Sequence, residues 1–224
     1  MRFAILILLV FASCGNNSQE DDRSEYLARA SSTFNQQAIS FRIVEDATSL
    51  LERRIDSLHA NNKLADSLFQ VSQSFREEFT VLMAQLSEVR SKIVSNCEHV
   101  SETEADTLSL RYFQFPHDIV NPEKVMLGND MRDVSGFEAH KLHRELVVLH
   151  DKTKVLDPGN RNATLNELIP KELYDEKMDK MISWEWYNFY HKDEVAVLFQ
   201  LKQIGLTALA ARNAVDVMVL SKAQ

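Results

Sequence analysis

Three histidines are the residues best spaced for chemistry. His140, His143 and His150 stand at offsets of zero, three and ten residues, which on a helix keeps them within roughly 80° of arc. Neutral imidazoles one turn apart can share Zn2+ or Cu2+. The run has no H-E-x-x-H arrangement, and no carboxylate stands in register beside it. It reads as the polar flank of a helix, and no metal or other cofactor is expected. The acid pairs Glu77-Glu78 and Asp175-Glu176 are adjacent, so on a helix they point about 100° apart and cannot face one substrate. G-x-S-x-G, G-x-x-x-x-G-K-[ST] and G-x-G-x-x-G are all missing, and five scattered glycines cannot cradle a phosphate. No catalytic residue is assigned, and the chain reads as no enzyme.

The elements that carry these residues are helical. Leu27, Ala30, Phe34, Gln37, Phe41, Val44, Thr48, Leu51, Ile55 and Leu58 repeat at intervals of three and four, broken only by Gln37 and Thr48. After Asn61-Asn62, a turn signal, a second stripe runs from Leu64 through Phe75, Leu82 and Val89 to Ile93. Two long amphipathic helices on a short polar link should lie antiparallel. From Ser101 to Arg132 the pattern weakens around Pro116, Pro122 and Gly128; its only strand-like run is Leu108 to Phe115. That segment reads as an irregular crossover with a helical turn near Glu123 to Leu127. A third helix from about Val134 carries Phe137, Leu142, Leu146 and Leu149 and stops before Asp157-Pro158-Gly159-Asn160. Pro170-Lys171-Glu172 opens a short helix to about Met181. Asp193 is the N-cap of the last helix, with Val197, Leu198, Leu201, Ile204, Leu209 and Val215 inward. The fold expected is all-α, an up-and-down four-helix bundle with long first two helices, an irregular crossover and an extra short helix.

Phe3 to Phe11 is an apolar run behind Arg2, too short for a span of roughly 20 residues and shaped like the core of a signal peptide. It ends in Phe11-Ala12-Ser13-Cys14, which resembles the lipobox of bacterial lipoproteins. The resemblance implies a signal peptide over 1–13 and a diacylglycerol, with an N-acyl chain such as palmitate, on Cys14. Each buried CH2 adds about 0.8 kcal/mol, so two or three chains make a durable anchor. Gly15 stands where inner-membrane retention in enteric bacteria uses Asp, which implies the outer membrane. The acidic run Ser18 to Asp22 resembles surface-export signals of Bacteroidetes lipoproteins and also suits a solvated tether over 14–24. Both the periplasmic face and the cell surface stay open. With Cys14 acylated, Cys97 has no partner in the chain and reads as a small buried apolar thiol.

Ahead of the last helix stands Trp184-Glu185-Trp186-Tyr187-Asn188-Phe189. Trp184, Tyr187, Asn188 and Phe189 resemble the W-x-x-Y-N-F stretch of the N-terminal periplasmic domain of GldM, from gliding motility and type IX secretion. The likeness extends loosely over 25–224 in the order and length of helices. Asp193 stands where that family usually has a proline, and both residue types can start a helix. The resemblance implies a helical contact domain, here held by lipid in place of the transmembrane motor helix. The aromatic residues of the stretch either plug one end of the bundle or, with Asn188 bracing the turn, dock a partner.

The formal net charge is -8, and -9 once residues 1–13 with Arg2 are removed, which excludes nucleic-acid binding through clustered Lys and Arg. The expected function is a lipid-anchored, non-catalytic interaction or structural module of the bacterial envelope. It would meet the membrane through its lipid and an envelope protein, or a second copy of itself, through Trp184, Trp186, Tyr187, Asn188 and Phe189. The alternative is a sensory or ligand-binding bundle with its ligand near His140, His143 and Trp184. Metabolic labelling with a fatty-acid analogue is expected to mark the wild-type protein and not Cys14→Ala; equal labelling would remove the lipid anchor.

Overall fold

The two apolar stripes form two long helices, and the asparagine pair reverses the chain between them. A computed structural model describes residues 19–129, 134–175 and 179–223; the lipobox and Cys14 lie outside them. Helix α1 spans Gln19–Ala60 and α2 spans Asp66–Glu98. Asn62 takes the left-handed conformation at φ 54, which its short polar side chain tolerates. α1 begins inside the acidic run, so the backbone of residues 19–24 is helical.

The segment after α2 contains α3 (Glu102–Thr107), a 3-10 turn at Leu110–Tyr112 and α4 (Val120–Leu127). The strand-like run Leu108–Phe115 forms no strand. Phe113 is buried instead, and the carboxylate of Glu98 accepts hydrogen bonds from the backbone N–H of Gln114 (2.6 Å) and Phe115 (2.9 Å). α5 covers Glu138–Thr153, four residues later than expected, with Phe137 as the residue before its first turn.

Beyond it lie α6 (Ala163–Asn166), strands β1 (Leu173–Asp175) and β2 (Lys180–Ile182), α7 (Trp184–Phe189) and α8 (Glu194–Lys222). The expected short helix from Pro170 to Met181 is thus replaced by an antiparallel hairpin in which Leu173 faces Ile182. Leu173, Tyr174 and Met181 are exposed. A short helix depends on burying an apolar face, and this segment has nothing to bury one against.

Contacts between the long helices fix their directions. Phe34, Gln37 and Thr48 of α1 meet Phe199, Gln203 and Asn213 of α8, so numbers rise together and the two are parallel. Ser72 meets Asp216, and Met83 and Leu86 lie against Gly205, so α2 runs opposite to α8. Lys92 pairs with Glu138 and Glu78 with Lys152, so α2 is also antiparallel to α5. α8 therefore runs in the same direction as α5, and the bundle is not a simple up-and-down one. The segment between α2 and α5 caps one end. The lengthwise return is the connection from α5 to α8, which passes Leu156 beside Lys222 and reaches α7 beside His143.

α8 is the central element, packed against α1, α2, α4, α6 and α7. Val197, Leu201, Ile204, Ala208, Ala211, Val215 and Val219 are all buried. By length and composition alone it is apolar enough to cross a membrane; in this fold these buried residues pack against the other helices. A polar clamp ties it to both neighbours. Ser72 donates to buried Asp216 (2.7 Å), Arg76 pairs with Glu52 (3.1 Å), Asp56 (3.0 Å) and Asp216 (3.8 Å), and Arg212 meets Glu52. Burial keeps the Asp216 carboxyl above its ordinary value even against Ser72, Arg76 and Arg212.

Gly128 ends α4 at φ 83, and the ring of Phe137 stands 2.2 Å from where a Cβ would sit. Only glycine fits both the positive φ and the ring. Gly128→Ala is expected to cost about 1–3 kcal/mol in denaturant unfolding; an unchanged midpoint would show that the ring can move aside freely.

Candidate functional site

The aromatic stretch forms the six residues of α7. Ser183 caps it, accepting from the backbone N–H of Trp186 (3.4 Å), and Tyr190 closes it by donating its backbone N–H to the Trp186 carbonyl (3.0 Å). His191 then turns left-handed at φ 54 and donates its N–H to Glu123 (3.0 Å), after which Asp193 caps α8 by accepting from Ala196 N–H (2.8 Å). Capping of both helices by local acceptors sets the angle between them.

The five residues expected to dock a partner divide into two groups. Phe189 is completely buried, and Asn188 nearly so. Neither offers a surface, which corrects the expectation for both. Asn188 donates to the Trp184 carbonyl (2.7 Å) and accepts from Gln200 (2.7 Å), bracing α7 on α8. Trp184 is half-buried, edge-on to Phe189 at 5.6 Å and to His143 at 5.8 Å. Trp186 is half-buried and stacks on Tyr190 at 4.3 Å. Tyr187 is 54% exposed, and Tyr190, not expected from the sequence, 41%.

His140 and His143 meet a carboxylate after all. Oε1 of buried Glu185 lies 3.2 Å from Nδ1 of His140 and 2.8 Å from Nδ1 of His143. Burial opposes ionisation of Glu185, but its own backbone N–H, the two imidazoles and Ser183 outweigh it and hold the carboxyl below its ordinary value. Glu185 comes from a distant part of the chain, so no local spacing signals the pairing. Among the described residues no group of three or more His, Cys, Asp and Glu is placed to hold a metal ion. His150 is buried elsewhere on α5, with Nε2 lacking a hydrogen-bond partner. The arrangement is a clamp of one carboxylate on two rings, joining α5 to α7.

A second acidic group lies where α2 ends and α8 begins. Glu194 is completely buried beside Glu98, and Asp193 accepts from the hydroxyl of Tyr26 (2.8 Å). Burial, then the neighbouring charges of Glu98, Asp118 and Asp193, push the Glu194 carboxyl up to about 9. It is neutral at neutral pH. Burial, then Glu194, Asp118 and Glu98, push the Cys97 thiol up, so it is no thiolate nucleophile.

Two cavities accompany these elements, and neither is lined by His140, His143 or Trp184. One, about 360 Å3, lies between α1 and the α7–α8 corner, against Tyr26, Asn188 and Phe199. The other, about 490 Å3, lies between α1, α2 and α8.

The raised Glu194 value makes stability depend on pH. Between the ordinary carboxyl range and about 9 the folded chain holds a proton that the unfolded chain has lost, so stability is greatest at the acidic end and falls as pH rises. Glu194→Gln is expected to flatten the fall in melting temperature between about pH 5 and 9; parallel curves for the two proteins would refute a proton on Glu194. Compared with models of known protein families and with curated proteins, the sequence matches none.

Proposed function

We propose that the chain is a lipid-anchored, non-catalytic interaction module of the bacterial cell envelope, working in an assembly of the gliding-motility or type IX secretion kind. One observation carries the docking part of this reading. Ile39, Ile43 and Leu50 of α1 are 61%, 64% and 61% exposed. They fall within roughly 40° of arc, on the side of α1 away from α8. Three large aliphatic side chains in one exposed row are the kind of patch that marks a protein contact. Tyr187 and Tyr190 add an aromatic contact at the α7 end, with Trp186 stacked behind.

The chemistry found at the other polar groups agrees with a non-catalytic role. Glu185, Glu98 and Glu194 are buried and join elements of the fold. The GldM resemblance of Trp184, Tyr187, Asn188 and Phe189 supplies the class of assembly, and the lipobox-like Cys14 supplies the anchor at the outer membrane, on its periplasmic face or at the surface.

Docking is expected to fail when the row is made charged. Chemical cross-linking in intact envelopes, followed by purification of the wild-type chain and of Ile43→Glu with Leu50→Glu, should recover an envelope protein only with the former. Both positions are exposed, so the helical circular dichroism should not change. Equal recovery from the two proteins would remove α1 as the docking face.

A further inference from the structure

The larger cavity combines an apolar floor with a cationic edge. Phe41, Met83, Leu86 and Leu201 form its walls, and Gly205 leaves α8 without a side chain at its base. A volume of about 490 Å3 lies in the range of small-molecule sites. Arg42 from α1, Arg90 from α2 and Lys202 from α8 also line it, with Glu45 the one acidic lining residue.

These cations stand out in a chain of formal net charge -8. Among the described residues none of the three forms an ion pair with a carboxylate. Arg90 spends its donors on the carbonyls of Ala105 (2.9 Å) and Leu108 (3.2 Å), and Lys202 donates to the Phe34 carbonyl (2.8 Å). Asp106 and Glu194 also act on Arg90 through their charge, whereas Lys202 has the Phe34 carbonyl and ring as its partners. Burial, followed by repulsion from Arg90, lowers the Lys202 value. Glu45 lies near Arg212, whose charge it supports.

We propose that this groove binds a free fatty acid, with the alkyl chain between α1, α2 and α8 and the carboxylate held by Lys202 and Arg42. Apolar walls favour the chain at about 25 cal/mol per Å2 removed from water. A carboxylate among unpaired cations gains charge-assisted hydrogen bonds. A cationic amphiphile would meet like charge, and a neutral one would leave the cations as they are. The inference rests on the groove and not on the docking face or the anchor, and it stands or falls separately from them.

Titration calorimetry of the full chain with dodecanoate, dodecanol and dodecyltrimethylammonium tests it. Dodecanoate is expected to bind at least about tenfold tighter than the other two. Lys202→Met and Arg42→Gln should weaken dodecanoate and leave dodecanol unchanged. Gly205→Leu should abolish binding of both by filling the floor: a Cβ there meets only Leu86 and Met83 at ordinary distances of 3.5 and 3.6 Å, so the backbone need not move. Circular dichroism verifies that each variant is folded, and Arg42, which is exposed, serves if Lys202→Met is not. Equal affinity for dodecanoate and dodecanol, or dodecanoate binding that survives both Arg42→Gln and Gly205→Leu, would overturn the proposal.

Discussion

The architecture depends on the burial of α8. This helix has apolar residues around most of its circumference, from Val195 and Val197 through Gly205 and Ala208 to Val219. A helix of that kind is stable in water only when other elements enclose it. α1 and α2 do so from two sides, and they touch each other little because α8 lies between them. Their short link therefore has to bridge across the end of a third helix. The Asn62 turn and the stacked pair His59 and Phe69, 3.8 Å apart, hold that bridge.

Hydrophobic burial has no direction, and polar contacts supply the register. Asp216 at the far end of α8 is fixed by Ser72 and faces Arg76, while Glu52 and Asp56 bring α1 to the same arginine. Sliding α8 by one turn would leave Asp216 buried without them, and an orphaned buried carboxylate costs far more than the pairing gains. The opposite end is arranged otherwise. There Glu194 avoids the cost by keeping its proton, and Asp193 next to it stays on the surface side as the cap. Burial first, then the neighbouring charges of Glu98, Asp118 and Asp193, keep that proton on Glu194.

The parts visible in the sequence are those whose burial is periodic. Leu27, Ile55, Phe75, Leu82, Leu201 and Val215 lie in stripes and are buried as the stripes require. Gln37 and Thr48 break the first stripe in residue type only: both are buried in the seam, Thr48 by donating to the Val44 carbonyl. Asp193 was legible as a cap because capping is local. The hairpin at Leu173–Ile182 was not, since its apolar residues fit a helix spacing and only their exposure shows that no core awaits them. The direction of α8 and the reach of Glu185 to His140 and His143 depend on how distant segments meet, and no spacing within one segment encodes that. The same holds for Phe189 and Asn188, whose residue types suit a core and a surface contact equally well.

The groove has its origin in this packing. Where α1 and α8 pass each other, the seam positions are Phe34, Gln37 and Phe41 on one side and Phe199, Lys202 and Gln203 on the other. Phe34 is held at its edge, against Phe199 and under the Lys202 ammonium at 5.1 Å. One turn on, Ala38 faces the space that Gly205 leaves on α8. Small residues on facing helices normally let the backbones close up. Here the bulk of Phe34, Gln37 and Phe41 keeps α1 at a distance while Met83 and Leu86 prop α2 from the other side, so the space left by Ala38 and Gly205 stays open. A bundle built only for burial would fill that space with a side chain at position 205, where a Cβ meets Leu86 and Met83 at ordinary distances. That it instead has glycine at the floor, and Arg42 and Lys202 without carboxylate partners around the opening, is the reason to treat the groove as a site and not as a packing defect.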